Sequence, residues 1–160
     1  MSPWLGAPMP MHEHQHWMEQ ALLLADRAAE QGEVPVGALV VRDGHVLGRG
    51  WNRVIGDADP TAHAEIIALR EAAGIEGNYR LPGATLYVTL EPCSMCAGAL
   101  VHARIAVLVF AAREPRAGVV CSQCALLESP WYNHRVRWEE GVLAEESSRR
   151  LQAFFRARRS

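Results

Sequence analysis

Thr85-Leu86-Tyr87-Val88-Thr89-Leu90-Glu91-Pro92-Cys93-Ser94-Met95-Cys96 is the stretch on which the chain turns. Its first six residues, rich in β-branched and aromatic types, read as a strand. The strand delivers the chain to Pro92, which suits the start of a helix running through Cys96, Ala99, Leu100 and Ala103. Cys93 and Cys96 then stand at i and i+3, on one face, at the positive end of that helix. The helix dipole and a bound metal both favour thiolate over thiol there. Upstream, Asp59-Pro60-Thr61 opens an apolar run through Ile66, Ile67 and Leu69, which reads as a helix starting near Thr61. That places His63 and Glu65 in its first turn or two. One His and two Cys form a three-ligand set that zinc accepts, and a catalytic zinc site leaves its fourth position to water. Glu65, two residues after the His, is placed to handle protons.

Working outward, His12 to Gln31 reads as the first helix, with Trp17, Ala21, Leu24 and Ala28 at helical spacing. His12, His14 and His16 alternate with polar residues and read as a solvated helix start rather than a metal tract. Glu33-Val34-Pro35-Val36-Gly37 breaks the helix. Residues 38–41 form a strand, Asp43-Gly44 a hairpin turn, and residues 45–51 its partner. Residues 52–59 and 74–83 are loops. Residues 105–110 make a further strand, so that strand, helix and strand suggest a βαβ crossover. Residues 112–133 are mixed, residues 136–138 suit a short strand, and residues 144–159 suit the last helix.

With 160 residues and 49% hydrophobic content, the chain is long enough for one domain with a real core. Residues 1–11 read as a disordered N-terminal extension and 12–160 as the single domain. The net charge of −2 gives no global sign of a nucleic-acid binder, so the distribution of charge matters more. Phe154, Phe155, Arg156, Arg158 and Arg159, with Arg149 and Arg150, set aromatics beside cations near the C-terminus, a mixture that suits RNA phosphates and exposed bases. No secretory segment stands before the four Cys and no stretch is apolar enough to span a bilayer. A reduced cytoplasmic setting follows as the expectation, with Cys as ligands or core residues.

H-x-E followed by P-C-x-x-C is the signature of zinc-dependent deaminases. The match is wider than that motif. It takes in Glu33-Val34-Pro35-Val36-Gly37-Ala38, Gly50-Trp51-Asn52-Arg53, residues 59–69 and 84–99, Val109-Phe110, Ala112-Arg113, Asn133-His134-Arg135 and Phe154-Phe155-Arg156-Ala157-Arg158-Arg159. On these residues the chain resembles the bacterial tRNA-specific adenosine deaminases, which convert the wobble adenosine of an anticodon to inosine. The resemblance implies a cytidine deaminase-like α/β fold, a three-layer α/β/α arrangement with a mixed five-stranded sheet, in a homodimer. It implies one zinc per subunit on His63, Cys93 and Cys96, with Glu65 shuttling protons. It further implies that Asn52 bonds the purine, that Val36 and Leu90 line the base pocket, and that Asn133 helps hold the extruded nucleotide. Arg53, Phe155 and Arg158 would contact the anticodon stem-loop, the partner being a tRNA such as tRNA-Arg. Two departures stand out. Arg113-Glu114 replaces the usual Arg-Asp, lengthening by one methylene an acid that resembles one contacting the anticodon, and Cys121-Ser122-Gln123-Cys124 brings in Cys where the family has none.

Three readings compete. A structural zinc site would need a fourth protein ligand, for which Cys121 or Cys124 is the candidate; Glu65 favours a catalytic site instead. Asn52 reads from spacing alone equally as a turn residue closing the hairpin. The same zinc chemistry could serve a free base or nucleotide such as guanine, but the Phe-Phe-Arg tail has no use for a small substrate.

Overall fold

The strand β3 (Thr85–Leu90) lies at the centre of a mixed five-stranded sheet, with every residue but Leu90 buried. The computed structural model describes residues 9–159, so most of the expected extension over residues 1–11 lies outside the described residues. The chain runs α1 (Met11–Glu30), β1 (Gly37–Arg42), β2 (His45–Trp51), α2 (Ala64–Glu76), β3, α3 (Ser94–His102), β4 (Val107–Ala112), a 3-10 turn (Leu126–Glu128), β5 (Arg137–Glu140) and α4 (Ala144–Arg159). The sheet order is β2-β1-β3-β4-β5. β1 pairs antiparallel with β2 and β3, whereas β3, β4 and β5 run parallel. The parallel pair β3–β4 is joined through α3, which makes the expected βαβ unit.

The two faces of the sheet are covered separately. Ala38, Val40, Leu86, Val88, Leu108 and Phe110 pack with α2 and α3. The alternate residues Leu39, Val41, Tyr87, Val109 and Ala111 pack with Met18, Ala21 and Leu24 of α1. The central strands are therefore buried on both faces and read as near-continuous apolar runs. This is the α/β/α architecture that the resemblance implies.

α2 sits unusually close to β2. Ala64, Ala68 and Ala72 recur every four residues along one side of the helix, and Gly48 and Gly50 face them. A Cβ on Gly50 would collide with the Ala64 carbonyl oxygen and lie 2.6 Å from the Ala68 nitrogen. Gly50→Ala is expected to cost roughly 1–3 kcal/mol as the helix is pushed off the sheet. A thermal melt checks this, and an unchanged Tm would show that the contact is soft.

Several boundaries differ from the sequence reading. α2 begins at Ala64, not near Thr61, because Thr61 closes a side-chain turn on Asp59, donating to its Oδ1 from both backbone nitrogen (2.9 Å) and hydroxyl (2.7 Å). Gly74 lies inside α2, which stops instead at Gly77 in the left-handed region (φ 67°). α3 begins after Cys93 rather than at Pro92. β4 starts two residues later than expected, because Arg104 (φ 60°) and the Ile105 nitrogen, bonded to the Leu100 carbonyl, are still closing α3. It runs on into Ala111 and Ala112, residues of low strand propensity that pairing with β3 overrides. β5 is an edge strand with Arg137 and Glu139 exposed, so its alternation is hidden among charges.

His14 also corrects the sequence reading. It is buried, with Nδ1 2.8 Å from the Tyr87 hydroxyl and Nε2 2.8 Å from Glu139 Oε2, tying α1 to β3 and β5. His12 and His16 are the exposed pair.

Candidate active site

His63 and Cys93 occupy the residues just before α2 and α3, the positions where a helix start normally uses a Ser, Thr, Asp or Asn to satisfy its first nitrogens. Neither side chain caps its own helix. They are turned toward each other instead. His63 Nδ1 lies 3.6 Å from Cys93 Sγ and 3.6 Å from Cys96 Sγ. All three donor atoms fall within 4.8 Å of one another, and among the described residues this is the one such cluster of His, Cys, Asp and Glu found. Tetrahedral zinc, with bonds of about 2.3 Å to sulfur and about 2.0–2.1 Å to nitrogen, puts N and S about 3.6 Å apart. The donor set therefore fits zinc. Cys121 and Cys124 are not among these donors: Cys121 Sγ lies 3.8 Å from Glu140 Oε2 and Cys124 is exposed. The fourth protein ligand that a closed structural site needs is absent among the described residues.

The electrostatics suit a cation. The Cys93 thiol is pulled down to about 3, first by a hydrogen bond from Cys96 and then by His63. Cys96, the buried partner, is pushed up by the same hydrogen bond and by burial. Two thiolates this close repel each other unless a positive charge sits between them. Glu65, in the first turn of α2, is 4% exposed. Burial drives its carboxyl up to about 7, so that it can both take and give a proton near neutral pH.

Asn52 supplies the cap that His63 does not. Its Oδ1 accepts the Ala64 nitrogen at 2.9 Å, fixing the start of α2. That contact leaves the amide NH2 as the donor that points elsewhere. Of the two sequence alternatives, the structure shows the local one: the Asn52 oxygen secures the start of α2. Val36 is buried and Leu90 half-buried in the core that α2 and α3 cover. Arg53 pairs with Asp57 (3.3 Å) and lies 5.6 Å from the Trp51 ring centre.

A groove of about 670 Å³ lies between Glu114 and Arg116 on one side and Phe155, Arg156, Arg158 and Arg159 of α4 on the other. Phe155 is 46% exposed, while Phe154 is half-buried with the Arg158 guanidinium 4.5 Å from its ring centre. Arg158 also donates to the Gly32 carbonyl. Arg149 and Arg150 belong to a different set: Arg149 pairs with Glu145 and Glu146, and Arg150 with Asp26. Asn133 is exposed beside Tyr132, whose hydroxyl faces Gly98 of α3; among the described residues no hydrogen bond joins Asn133 to the donor cluster.

Two buried acids escaped the sequence reading. Glu33 accepts the nitrogens of Ile55 (3.1 Å) and Gly56 (2.8 Å), pinning the loop after Asn52 and Arg53. Glu91, 3% exposed, accepts the nitrogens of Glu114, Val120, Cys121 and Ser122 and the Ser122 hydroxyl. Burial pushes its carboxyl up, but the hydrogen bonds from Cys121, Ser122 and Glu114 outweigh burial and leave it below the usual carboxylate range. The available signal was an acid abutting an apolar run in each case, Glu33 before Val34-Pro35-Val36 and Glu91 after Leu90.

Comparison with known proteins places this geometry. Residues 11–112 match the family model described as cytidine and deoxycytidylate deaminase zinc-binding region. A tRNA-specific adenosine deaminase of Haemophilus influenzae is 52% identical over 143 residues, which cover 89% of this chain and 83% of that protein. One from Agrobacterium fabrum is 46% identical, covering 93% of this chain and 98% of its own length. A solved tRNA:A34 deaminase, studied for A-to-I editing at the wobble position of transfer RNA, superposes with a TM-score of 0.83 at 46% identity, covering 85% of this chain and 99% of its own. A guanine deaminase from Nitrosomonas europaea, 22% identical with a TM-score of 0.74 over 96% of this chain and 97% of its own, shares the fold. The chain belongs to the cytidine and deoxycytidylate deaminase zinc-binding family and, within it, to the tRNA-specific adenosine deaminases.

Proposed function

We propose that this protein hydrolyses the wobble adenosine of a tRNA anticodon, in tRNA-Arg first of all, to inosine and ammonia, with His63, Cys93 and Cys96 holding one zinc. When bound, zinc supplies the Lewis acid that lets water act as a nucleophile at neutral pH. The chain's own residues do the rest. Glu65 takes a proton from the attacking water and delivers it to the ring nitrogen beside C6. Protonation there makes C6 electrophilic. Glu65 then takes the second proton of the former water from the new C6 hydroxyl and gives it to the amine, which leaves as ammonia as C6 becomes the carbonyl of inosine; a single buried carboxyl serves both transfers. The Asn52 NH2 group, with its oxygen committed to Ala64, donates to an acceptor nitrogen of the purine. Val36 and Leu90 flank the base, and Asn133 steadies the extruded nucleotide.

The groove between Glu114, Arg116 and the end of α4 carries the RNA half of this reading. A small substrate has no use for four arginines and an exposed phenylalanine, whereas an anticodon stem-loop offers them phosphates and unstacked bases. Arg53, Phe155 and Arg158 serve that contact. The protein works as a homodimer, for which the apolar groove of Ile66, Leu69 and Ala73 of α2, Ala99 of α3, and Tyr79 and Ala103 just beyond those helices is the suitable face. Its setting is the cytoplasm, where the tRNA is.

Single-turnover incubation with a transcribed tRNA-Arg carrying adenosine at the wobble position tests the reading. Inosine is scored as guanosine after reverse transcription. Conversion confined to that adenosine is expected. A folded, zinc-loaded protein that leaves it intact and deaminates guanine instead would overturn the substrate.

A further inference from the structure

We propose that Glu91 is a positioning residue that fastens the loop wall of the RNA groove to the strand end bearing Cys93; this rests on the tRNA reading above. Glu91 stands between Leu90, the last residue of β3, and Pro92-Cys93, and its side chain takes no part in the donor cluster. Its Oε2 receives three successive backbone nitrogens, from Val120 (3.0 Å), Cys121 (2.9 Å) and Ser122 (2.9 Å). Such a run of converging N–H groups is the nest that proteins build for an anion. Here the anion is internal. Oε1 receives the Glu114 nitrogen at 3.0 Å and the Ser122 hydroxyl. The loop has closed on this carboxylate so tightly that a Cβ on Gly118 would collide with Glu91 Cδ and lie 2.6 Å from the Glu114 carbonyl oxygen. A further bond, from the Val119 nitrogen to the Pro92 carbonyl (3.1 Å), fixes the same loop to the same strand end.

The consequence falls on RNA binding. Glu114 and Arg116 form the groove wall opposite α4, and Arg116 is oriented by its own nitrogen bonding Glu114 Oε1 at 2.9 Å. α4 reaches the groove at the exposed end of the last helix. The loop wall, by contrast, is tied through Glu91 to a residue two positions from a metal donor. Glu91 thereby holds the loop wall where RNA entering the groove can bind it.

Glu91→Gln tests this, because it keeps the shape and presents an NH2 group to N–H donors. The variant is expected to retain one zinc per chain, to raise the tRNA concentration for half-maximal single-turnover rate by about tenfold to a hundredfold, and to keep the saturating rate within about threefold. Arg116→Ala is expected to weaken tRNA in the native background and to add nothing in the Glu91→Gln background, since the wall is already displaced. If Glu91→Gln does not fold, Ser122→Ala, which removes one of the five donors, is read for the same split at smaller size. An unchanged half-saturation, a rate lost together with zinc, or effects of the two variants that multiply would overturn the inference. A wild-type protein that leaves tRNA unconverted removes the functional reading itself; one that converts while Glu91→Gln behaves identically removes the inference alone.

Discussion

Glu65→Ala is expected to keep its zinc and lose turnover, by about 10³-fold or more, because one carboxyl serves both proton transfers and each is worth about 10²–10⁴. The side chain is buried at the start of α2, beside the donors yet outside the cluster of three. Removing it therefore leaves His63 Nδ1 and the two sulfurs where they are. Metal content by atomic emission and single-turnover conversion of the wobble adenosine, measured on one preparation, separate the two properties. Loss of zinc along with activity would make Glu65 a ligand and end its assignment as proton carrier. Glu65→Gln sharpens the result, since it preserves volume and polarity but carries no titratable proton; it should be as slow as the Ala variant. The fold should be indifferent or slightly favoured, because burial already opposes the charged form of this carboxyl.

How much of this was legible in the sequence depended on whether a residue's partners were close along the chain. The strand 85–90, the hairpin around Asp43-Gly44 and the last helix carry their own local patterns, and the structure reproduces them at Thr85–Leu90, His45–Trp51 and Ala144–Arg159. The donor triad was legible because zinc chemistry restricts both residue type and spacing. Its relation to the two helix starts was legible only in part. The sequence puts His63 and the Pro92-Cys93 start inside the helices, whereas the donors His63 and Cys93 lie just outside, in extended backbone (ψ 154° and 176°), which is what frees their side chains to meet.

The misses share a cause. Glu91 and Glu33 are buried by loops 20 or more residues away in sequence, and no short window shows that a backbone will fold around an acid. His14 looked like one of three solvated histidines until Tyr87 and Glu139, 73 and 125 residues on, supplied partners for both ring nitrogens. β5 spans Arg137–Glu140 rather than residues 136–138, because an edge strand is kept soluble with charges and charge hides alternation. Arg149 and Arg150 show the converse. The sequence sets them beside the RNA-facing cluster but also puts acids just upstream to pair with, and helical geometry favours the acids: Arg149 meets Glu145 and Glu146, Arg150 meets Asp26, and the groove is lined by the end of α4.

Cys96→Ala should differ from Glu65→Ala in every readout except activity. Cys96 is fully buried on α3, and its sulfur is one of three donors. Two remaining donors hold zinc far more weakly, so the variant is expected to purify with little metal and to show no measurable conversion. Its stability should fall as well, because zinc that binds the folded chain and not the unfolded one stabilises by RT ln(1 + [L]/Kd), about 4 kcal/mol at a thousandfold excess over Kd. That linkage predicts a specific equality. Wild-type protein stripped with a chelator should melt close to the Cys96→Ala variant, the remaining difference being the loss of one small buried sulfur. Returning zinc should restore the melting temperature and the activity of the stripped wild type and do neither for the variant. A Cys96→Ala protein that still carries a full equivalent of zinc would show that another donor, Cys121 or Cys124, reaches the metal. The site would then be the closed, structural kind, and the catalytic assignment of Glu65 would lose its open coordination position.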